Sequence, residues 1–207
     1  MENKAKKKGH KIRKALGRLL MKLVALTLVL YALFFHIIGV VIVPNGDMYP
    51  RMDTGDIAFF YRLEAKPKVQ DIVVLDKAVT DRYAPVYYEP YEKPWWRQAL
   101  DWIGFDDPNE PAKTRFVCRV VAAPGDTVEI TEDQKFFVNG NSMVETGIFY
   151  RTAAYVGYTE YPIKLGKDEY FVLADFRNGG VDSRFFGIVK IDEIQGVVVT
   201  VVKRNNL

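Results

Sequence analysis

The longest apolar stretch of the chain is the run of 21 residues from Leu23 to Val43, which contains no charged residue. About 20 such residues are enough to cross the hydrocarbon core of a bilayer as a helix. Residues 1–22, which precede the run, hold nine lysines and arginines against one glutamate. Because basic flanks stay in the cytoplasm, this order predicts an uncleaved anchor with a cytoplasmic amino terminus and an extracellular remainder. A cleaved signal peptide is the alternative, although its apolar region is usually shorter.

Beyond residue 43 the pattern changes to short apolar and β-branched segments separated by turn residues. The predicted strands are 57–61, 71–75, 115–130 and 196–202. Residues 129–144 read as a hairpin, with Asn139 and Gly140 forming its type I′ turn. Tyr150–Tyr161 reads as a polar, aromatic loop or edge strand. The pattern predicts a mainly β, antiparallel domain over residues 44–207 that follows one amino-terminal transmembrane helix.

Residues 77–115 interrupt this pattern with a stretch rich in tyrosine and proline. All three tryptophans of the chain, Trp95, Trp96 and Trp102, lie here. The segment Trp95–Ile103 has the apolar spacing of a short helix that ends at Gly104. This aromatic-rich insertion has three interpretations: a small satellite core, a contact with the membrane interface, or a partner-binding patch.

Charge and composition exclude several function classes. The net charge of +3 comes from the basic tail, so the remaining residues are mildly acidic, which argues against a nucleic-acid-binding face. Membrane lipid is the better partner for the tail. The single cysteine, Cys118, permits no internal disulfide and no cysteine-based metal site. His10 and His36 both precede the β domain, which excludes Ser-His-Asp and Cys-His catalysis there. We expect neither a metal nor a cofactor.

Four segments of the chain resemble, in the same order, the sequence motifs of type I signal peptidases (peptidase S26). They are residues 43–56 (VPNGDMYPRMDTGD), 69–74 (VQDIVV), 116–128 (FVCRVVAAPGDTV) and 169–187 (EYFVLADFRNGGVDSRFFG). A single Pro-Gly-Asp match would be weak, but four motifs in order behind an anchor are specific. The resemblance covers about residues 20–76 and 115–203, and it implies the β fold of that family.

The resemblance also identifies positions where this chain departs from the family. Those peptidases use a serine nucleophile and a lysine general base, whose positions are here Asp47 and Cys118. Two supporting positions are also altered, to Asn45 and Gly180. A carboxylate is a poor nucleophile toward an amide, and a thiol cannot replace an amine as the base. From these four changes we expect that the chain is not an enzyme.

Two other chemistries remain open for the same residues. Asp47 could form an aspartic dyad with Asp175 or Asp182 and activate water. Cys118 could act as a thiol nucleophile, although as a small buried apolar residue it needs no explanation. The resemblance favours a structural role for the acidic residues, in a brace where Asp175 and Asp182 pair with Arg177 and Arg184.

A chain with this combination resembles the signal-peptidase-like proteins of Gram-positive pilus gene clusters. Those proteins lack the serine–lysine pair and are required for pilin polymerisation by class C sortases. The resemblance implies a cleft floored by Gly46, Asp47, Met48 and Pro50 that binds a pilin or sortase segment by strand addition. The alternatives are an active signal peptidase with atypical residues, or a membrane scaffold that binds through the aromatic-rich insertion.

Overall fold

The computed structural model describes residues 2–63, 66–78, 113–143, 145, 147–148 and 150–204. The chain divides into two units, Met1–Gly39 and Val40–Leu207. The aromatic-rich insertion, including the helix predicted at Trp95–Ile103, lies outside the described residues.

The first unit is a long helix, α1 (Glu2–Ala32), followed by a π turn at Leu33–Ile37. Within the described residues, Arg13–Ala32 is one helix long and apolar enough to cross a membrane, judged by length and composition alone. These bounds differ from the predicted span of 23–43, because residues 38–42 form a strand. Gly39 and the β-branched residues around it favour an extended over a helical backbone.

From residue 38 onward the chain forms short strands with a few helical turns between them. The strands are β1 (Ile38–Ile42), β2 (Ile57–Tyr61), β3 (Ile72–Ala78), β4 (Lys113–Ala122), β5 (Thr127–Ile130), β6 (Phe136–Val138), β7 (Asn141–Ser142), β8 (Ile163–Lys164), β9 (Glu169–Leu173), β10 (Val189–Lys190) and β11 (Ile194–Val202). The helical turns are 3₁₀ turns at Gly46–Met48 and Ile191–Glu193 and the one-turn helix α2 (Ser183–Phe186).

The strands form two sheets. One has the order β1-β2-β11-β3-β4-β9-β10, and the other has the order β7-β6-β5-β8. From β2 to β10 in the first sheet, and throughout the second sheet, neighbouring strands run antiparallel, as in β3 with β4 and β5 with β6. Asn139 and Gly140 have φ angles of 54° and 75° at the β6–β7 turn, as a type I′ turn requires. The predicted mainly β, antiparallel fold and its hairpin are confirmed.

Strand β4 is central to the core because it is buried on both faces from Phe116 to Ala122. One face packs Cys118 against Val73 and Val181. The other face packs Val117 in a cluster that includes Met48. The turn that carries Asp47 is therefore anchored in the core through its neighbour, Met48.

Asp56 fastens the start of β2 to the end of β11. Its carboxylate is buried and accepts hydrogen bonds from the backbone N–H groups of Arg204 at 2.8 Å and Asp53 at 3.0 Å. The ammonium group of Lys203 lies 3.2 Å from it. The Arg204 and Asp53 hydrogen bonds, together with Lys203, lower the pKa of Asp56 although burial opposes them.

We therefore expect Asp56→Asn to lower the free energy of unfolding in a pH-dependent way. The folded pKa lies below the ordinary value of 3.8, so the charged carboxylate stabilises the fold above that pH. This contribution is lost as the pH falls through the folded pKa. Urea unfolding of the full chain in detergent micelles, followed by circular dichroism, should show a difference between wild type and variant at pH 7 that shrinks as the pH falls below 3.8. A constant difference at all pH values would contradict this account.

Candidate functional site around Asp47 and Cys118

Asp47 lies in the 3₁₀ turn that follows β1. The side-chain oxygen of Asn45 begins this turn by accepting the backbone N–H of Asp47 at 3.2 Å. Met48 is 1% exposed and anchors the turn, whereas Tyr49 and Pro50 are exposed. The side chain of Asp47 is consequently held half-buried at the surface of the domain. Asn45 therefore occupies the backbone N–H of Asp47 itself, the position at which the resemblance places the nucleophile of the family.

Val181 connects the two positions that the resemblance assigns to the nucleophile and the base. Its backbone N–H donates to the Asp47 carboxylate at 3.4 Å, a long hydrogen bond. Its carbonyl accepts from the thiol of Cys118 at 3.9 Å. A further hydrogen bond, from the N–H of Phe176 to the carbonyl of Asp47 at 2.8 Å, fixes the turn against the same loop. The structure thus brings Asp47 and Cys118 to opposite sides of one residue.

The thiol of Cys118 is fully buried. Burial raises its pKa well above the ordinary value, and the negative charges of Asp182, Asp47 and Asp175 raise it further. The thiol therefore stays protonated at neutral pH, and a protonated thiol is neither a nucleophile nor a base. This environment opposes the alternative in which Cys118 acts as a thiol nucleophile.

Gly180 and Ala174 occupy one shared space beside this site. A Cβ atom added at Gly180 would lie 2.3 Å from the Cβ of Ala174 and 2.7 Å from the carbonyl oxygen of Phe176. Both distances are far shorter than real contacts between such atoms. The family motif has glycine where this chain has Ala174, and often serine where it has Gly180. The methyl group of Ala174 therefore fills the space that a side chain at residue 180 would use.

This shared space predicts a specific coupling between the two positions. Gly180→Ser alone should lower the free energy of unfolding by about 1–3 kcal/mol, since overpacking forces side chains or backbone to move. Adding Ala174→Gly should recover part of that loss, because it removes one of the two clashing groups. Urea unfolding of the full chain in detergent micelles measures both changes. If Gly180→Ser costs nothing, or if its cost is the same in the Ala174→Gly background, the proposed shared space is wrong.

Asp182 and Arg184 form a completely buried ion pair behind Val181. Two nitrogens of Arg184 bond the carboxylate, Nη2 to Oδ2 at 2.8 Å and Nε to Oδ1 at 2.9 Å. The same carboxylate accepts the N–H of Ala174 at 2.9 Å. Arg184 also donates to the backbone carbonyl of Arg177 at 2.9 Å. The pair therefore holds residues 182–184 to the backbone of Ala174 and Arg177 within the loop after β9. These contacts are of the kind expected of a brace.

The other half of the expected brace has different partners. Asp175 does not pair with Arg177 but with Arg119 of β4, through two bonds of 2.7 Å and 2.5 Å. Arg177 pairs with Glu145 at 2.7 Å. The pairing predicted between Asp175 and Arg177 is therefore wrong. Arg119 lies in one of the four motifs, but its pairing with Asp175 follows from the neighbouring positions of β4 and β9, which the sequence does not give.

Tyr155 is a residue of this site that the sequence did not reveal. Its hydroxyl donates to the carbonyl of Gly180 at 2.8 Å, next to the residue that Asp47 and Cys118 share. Its ring lies over the guanidinium of Arg184 with a separation of 4.4 Å. The segment expected as a polar, aromatic loop thus packs on the brace. Among the described residues, no group of histidines, cysteines or carboxylates could hold a metal ion.

Comparison with known sequences identifies the class of protein. The family model described as signal peptidase, peptidase S26, matches residues 16–203. The chain therefore belongs to the S26 signal peptidase family.

Individual relatives carry the same name. Signal peptidase I P of Bacillus subtilis subsp. natto is 41% identical over 90 residues, which are 40% of this chain and 48% of that protein. Signal peptidase I of Pseudomonas aeruginosa is 27% identical over 173 residues, which are 72% of this chain and 55% of that protein. A crystal structure of a signal peptidase I from Enterococcus faecalis has a TM-score of 0.39 and 23% identity, covering 65% of this chain and 97% of the other. The chain spans about half the length of these two curated relatives.

These relatives overturn one expectation drawn from the sequence. They are named as signal peptidases, and signal peptidases are enzymes. The expectation that this chain is not an enzyme is therefore wrong. The family assignment itself is confirmed, while the roles given to Asn45, Asp47, Cys118 and Gly180 stay predictions.

Proposed function

We propose that the second unit binds an extended segment of an exported polypeptide along strand β1 and the turn that carries Asp47. The observation that carries this proposal is the position of β1. Within the described residues it lies at one end of the seven-stranded sheet and leads directly into the Asp47 turn. An edge strand offers a row of backbone groups with which an added strand can pair.

The side chains around this edge suit an extended ligand. Val40 and Ile42 are 44% and 66% exposed, whereas Val41 between them is buried in the core. A pairing segment would place alternate side chains beside the exposed residues of β1. It would then reach Gly46, Asp47 and Pro50 of the predicted cleft floor. The prediction that Met48 belongs to this floor is wrong, because its side chain is 1% exposed and packs in the core.

A pilin subunit or a class C sortase is our proposed source of the bound segment. The support is the resemblance to the pilus-associated members of the family, together with the anchor. The basic flank before the apolar helix supports an orientation with the amino terminus in the cytoplasm and the β domain outside the cell membrane. On that side the domain would meet polypeptides as they leave the membrane.

Cleavage of the bound segment is the second candidate function, favoured by the peptidases among the relatives. Because the buried thiol of Cys118 stays protonated, the carboxylate of Asp47 is the better placed of the two to accept a proton from water. A test of this candidate is the incubation of the full chain with a secretory signal peptide, followed by mass spectrometry of the products. Asp47→Asn should lower the rate of any cleavage seen.

Strand addition can be tested with a labelled extended peptide and the full chain in detergent micelles. The probes are peptides from pilin, sortase and secretory signal sequences, each N-methylated at successive single positions. In an added strand only alternate N–H groups face the sheet, so methylation at every second position should weaken binding by about tenfold or more. Fluorescence anisotropy measures the affinity. Equal losses at successive positions would contradict strand addition, and stronger binding of the secretory signal peptide would contradict a pilin or sortase partner.

A further inference from the structure

A cavity of about 170 Å³ lies away from the Asp47 turn, between strands β6 and β7 and the segment that follows them. Its apolar lining comes from Phe136, Met143, Ile148 and Tyr150, and its polar lining from Gln134, Lys135, Ser142, Glu145, Arg151 and Thr152. Polar residues outnumber apolar ones in this lining, so hydrogen bonds and charge decide which small group fits the cavity.

Glu145 is the buried acidic group of this cavity. Its side chain is only 5% exposed, and its Oε2 is paired with Arg177 at 2.7 Å. Its Oε1 is buried with no hydrogen-bond partner in the described part of the chain. Leaving a buried carboxylate oxygen without a donor is costly, so Oε1 favours any group in the cavity that can donate a hydrogen bond.

The surrounding charges decide what kind of donor fits. Arg177 already compensates the charge of Glu145, and Lys135 and Arg151 add positive charge to the lining. An ammonium or guanidinium group would meet three cations, although Lys135 is also paired with Asp133. A carboxylate would face Oε1 with a like charge and no proton to donate. A neutral amide avoids both problems, because its N–H can donate to Oε1 while its carbonyl accepts from a basic residue.

We propose that this cavity binds a neutral carboxamide, such as the side chain of an asparagine or glutamine in a polypeptide bound to the domain. The cavity is connected to the Asp47 turn through two aromatic rings. Tyr150 lines the cavity and packs edge-on against Phe176, with ring centroids 5.5 Å apart. The N–H of Phe176 bonds the carbonyl of Asp47. That a polypeptide supplies the amide rests on the proposed function, whereas binding of the amide group itself does not.

Methyl NMR of the full chain in detergent micelles can test the cavity directly. The chain has five methionines, of which Met143 lines the cavity and the fully buried Met52 does not. With ¹³C-labelled methionine methyl groups, assigned through Met143→Leu, propionamide should shift the Met143 signal to saturation and leave the Met52 signal in place. Propionate and propylammonium should bind at least about tenfold more weakly. No shift with propionamide, or equal binding of all three compounds, overturns the proposal.

Two variants and one control sharpen this test. Ser142→Phe should fill the cavity and abolish the response to propionamide, whereas Asn141→Phe, one residue earlier on β7 and outside the lining, should leave it unchanged. Glu145→Gln should move the preference from propionamide toward propionate, because the new Nε2 can donate to a carboxylate. The Met52 signal reports whether each variant is folded. An unchanged preference in folded Glu145→Gln overturns the role of Oε1. Because no polypeptide is used, failure here leaves the strand-addition proposal standing, and failure of strand addition leaves amide binding standing.

Discussion

Asp47→Ser combined with Cys118→Lys, in a chain that also carries Ala174→Gly and Gly180→Ser, is expected to cleave a signal-peptide substrate at least about 100-fold faster than the wild type. The serine supplies a nucleophile and the lysine a general base, as the family resemblance implies. Ala174→Gly is needed because a serine side chain at residue 180 would otherwise collide with the methyl group of Ala174. The measurement is the initial rate of peptide cleavage by the full chain in detergent micelles.

Electrostatics explains why the two central changes must be made together. Asp182, Asp47 and Asp175 all act on the group at position 118. Asp182 and Asp175 are each paired with an arginine, Arg184 and Arg119 respectively. A lysine at position 118 beside an intact Asp47 would be held in its charged form, which cannot accept a proton. Burial is the largest influence on the pKa of a group at position 118, and it favours the neutral form of a lysine. Asp47→Ser removes one of the negative charges that oppose this effect, so the pKa of the lysine moves further toward neutrality.

The single variants are therefore the controls for this prediction. Cys118→Lys alone and Asp47→Ser alone should each give little increase in the cleavage rate. The account is contradicted if the variant with all four substitutions has the circular dichroism spectrum of the wild type but cleaves the peptide no faster. It is also contradicted if Cys118→Lys alone reaches the same rate, since the carboxylate of Asp47 would then have no influence on the base.

The largest expected effect on stability is that of Asp182→Ala. This change leaves the guanidinium of Arg184, which is completely buried, without its carboxylate partner. Removing one partner of a buried ion pair typically costs about 3–5 kcal/mol of unfolding free energy. The backbone N–H of Ala174 loses its acceptor at the same time. Urea unfolding followed by circular dichroism measures the loss.

A matched control is available on the surface of the same unit. Asp133 pairs with Lys135 at 2.6 Å, but both side chains are more than half exposed. Asp133→Ala should change the unfolding midpoint little, because exposed ion pairs contribute little to stability. If the two alanine variants shift the midpoint equally, the buried brace is not a major contribution to the stability of the unit.

Local sequence pattern was sufficient for most of the fold. The apolar and aromatic run at residues 57–61, directly after the Gly55–Asp56 turn, predicted β2 with the bounds that the structure has. The pair Asn139 and Gly140 predicted the turn between β6 and β7, because few other residues adopt two successive positive φ angles. The end of the apolar helix was misplaced because residues 38–42 continue the apolar run, although their β-branched side chains and Gly39 favour an extended backbone.

Contacts between residues distant in sequence could not be predicted from local pattern. Asp175 could pair with any nearby arginine, and the choice of Arg119 over Arg177 depends on the register of β4 with β9. The changes at residues 174 and 180 were both visible in the sequence. That they share one space became clear only from the distance between their Cβ positions.

That shared space also restricts the order in which these two positions can change during evolution. Alanine at 174 and serine at 180 destabilise the fold together, since their Cβ atoms would lie 2.3 Å apart before the structure relaxes. A lineage moving by single substitutions between the glycine–serine pair of the family motif and the pair seen here avoids this cost by passing through glycine at both positions. A serine at residue 180 returns without this clash only after Ala174 has reverted. The methyl group of Ala174 thus makes the loss of a serine hydroxyl at residue 180 harder to reverse than it was to make.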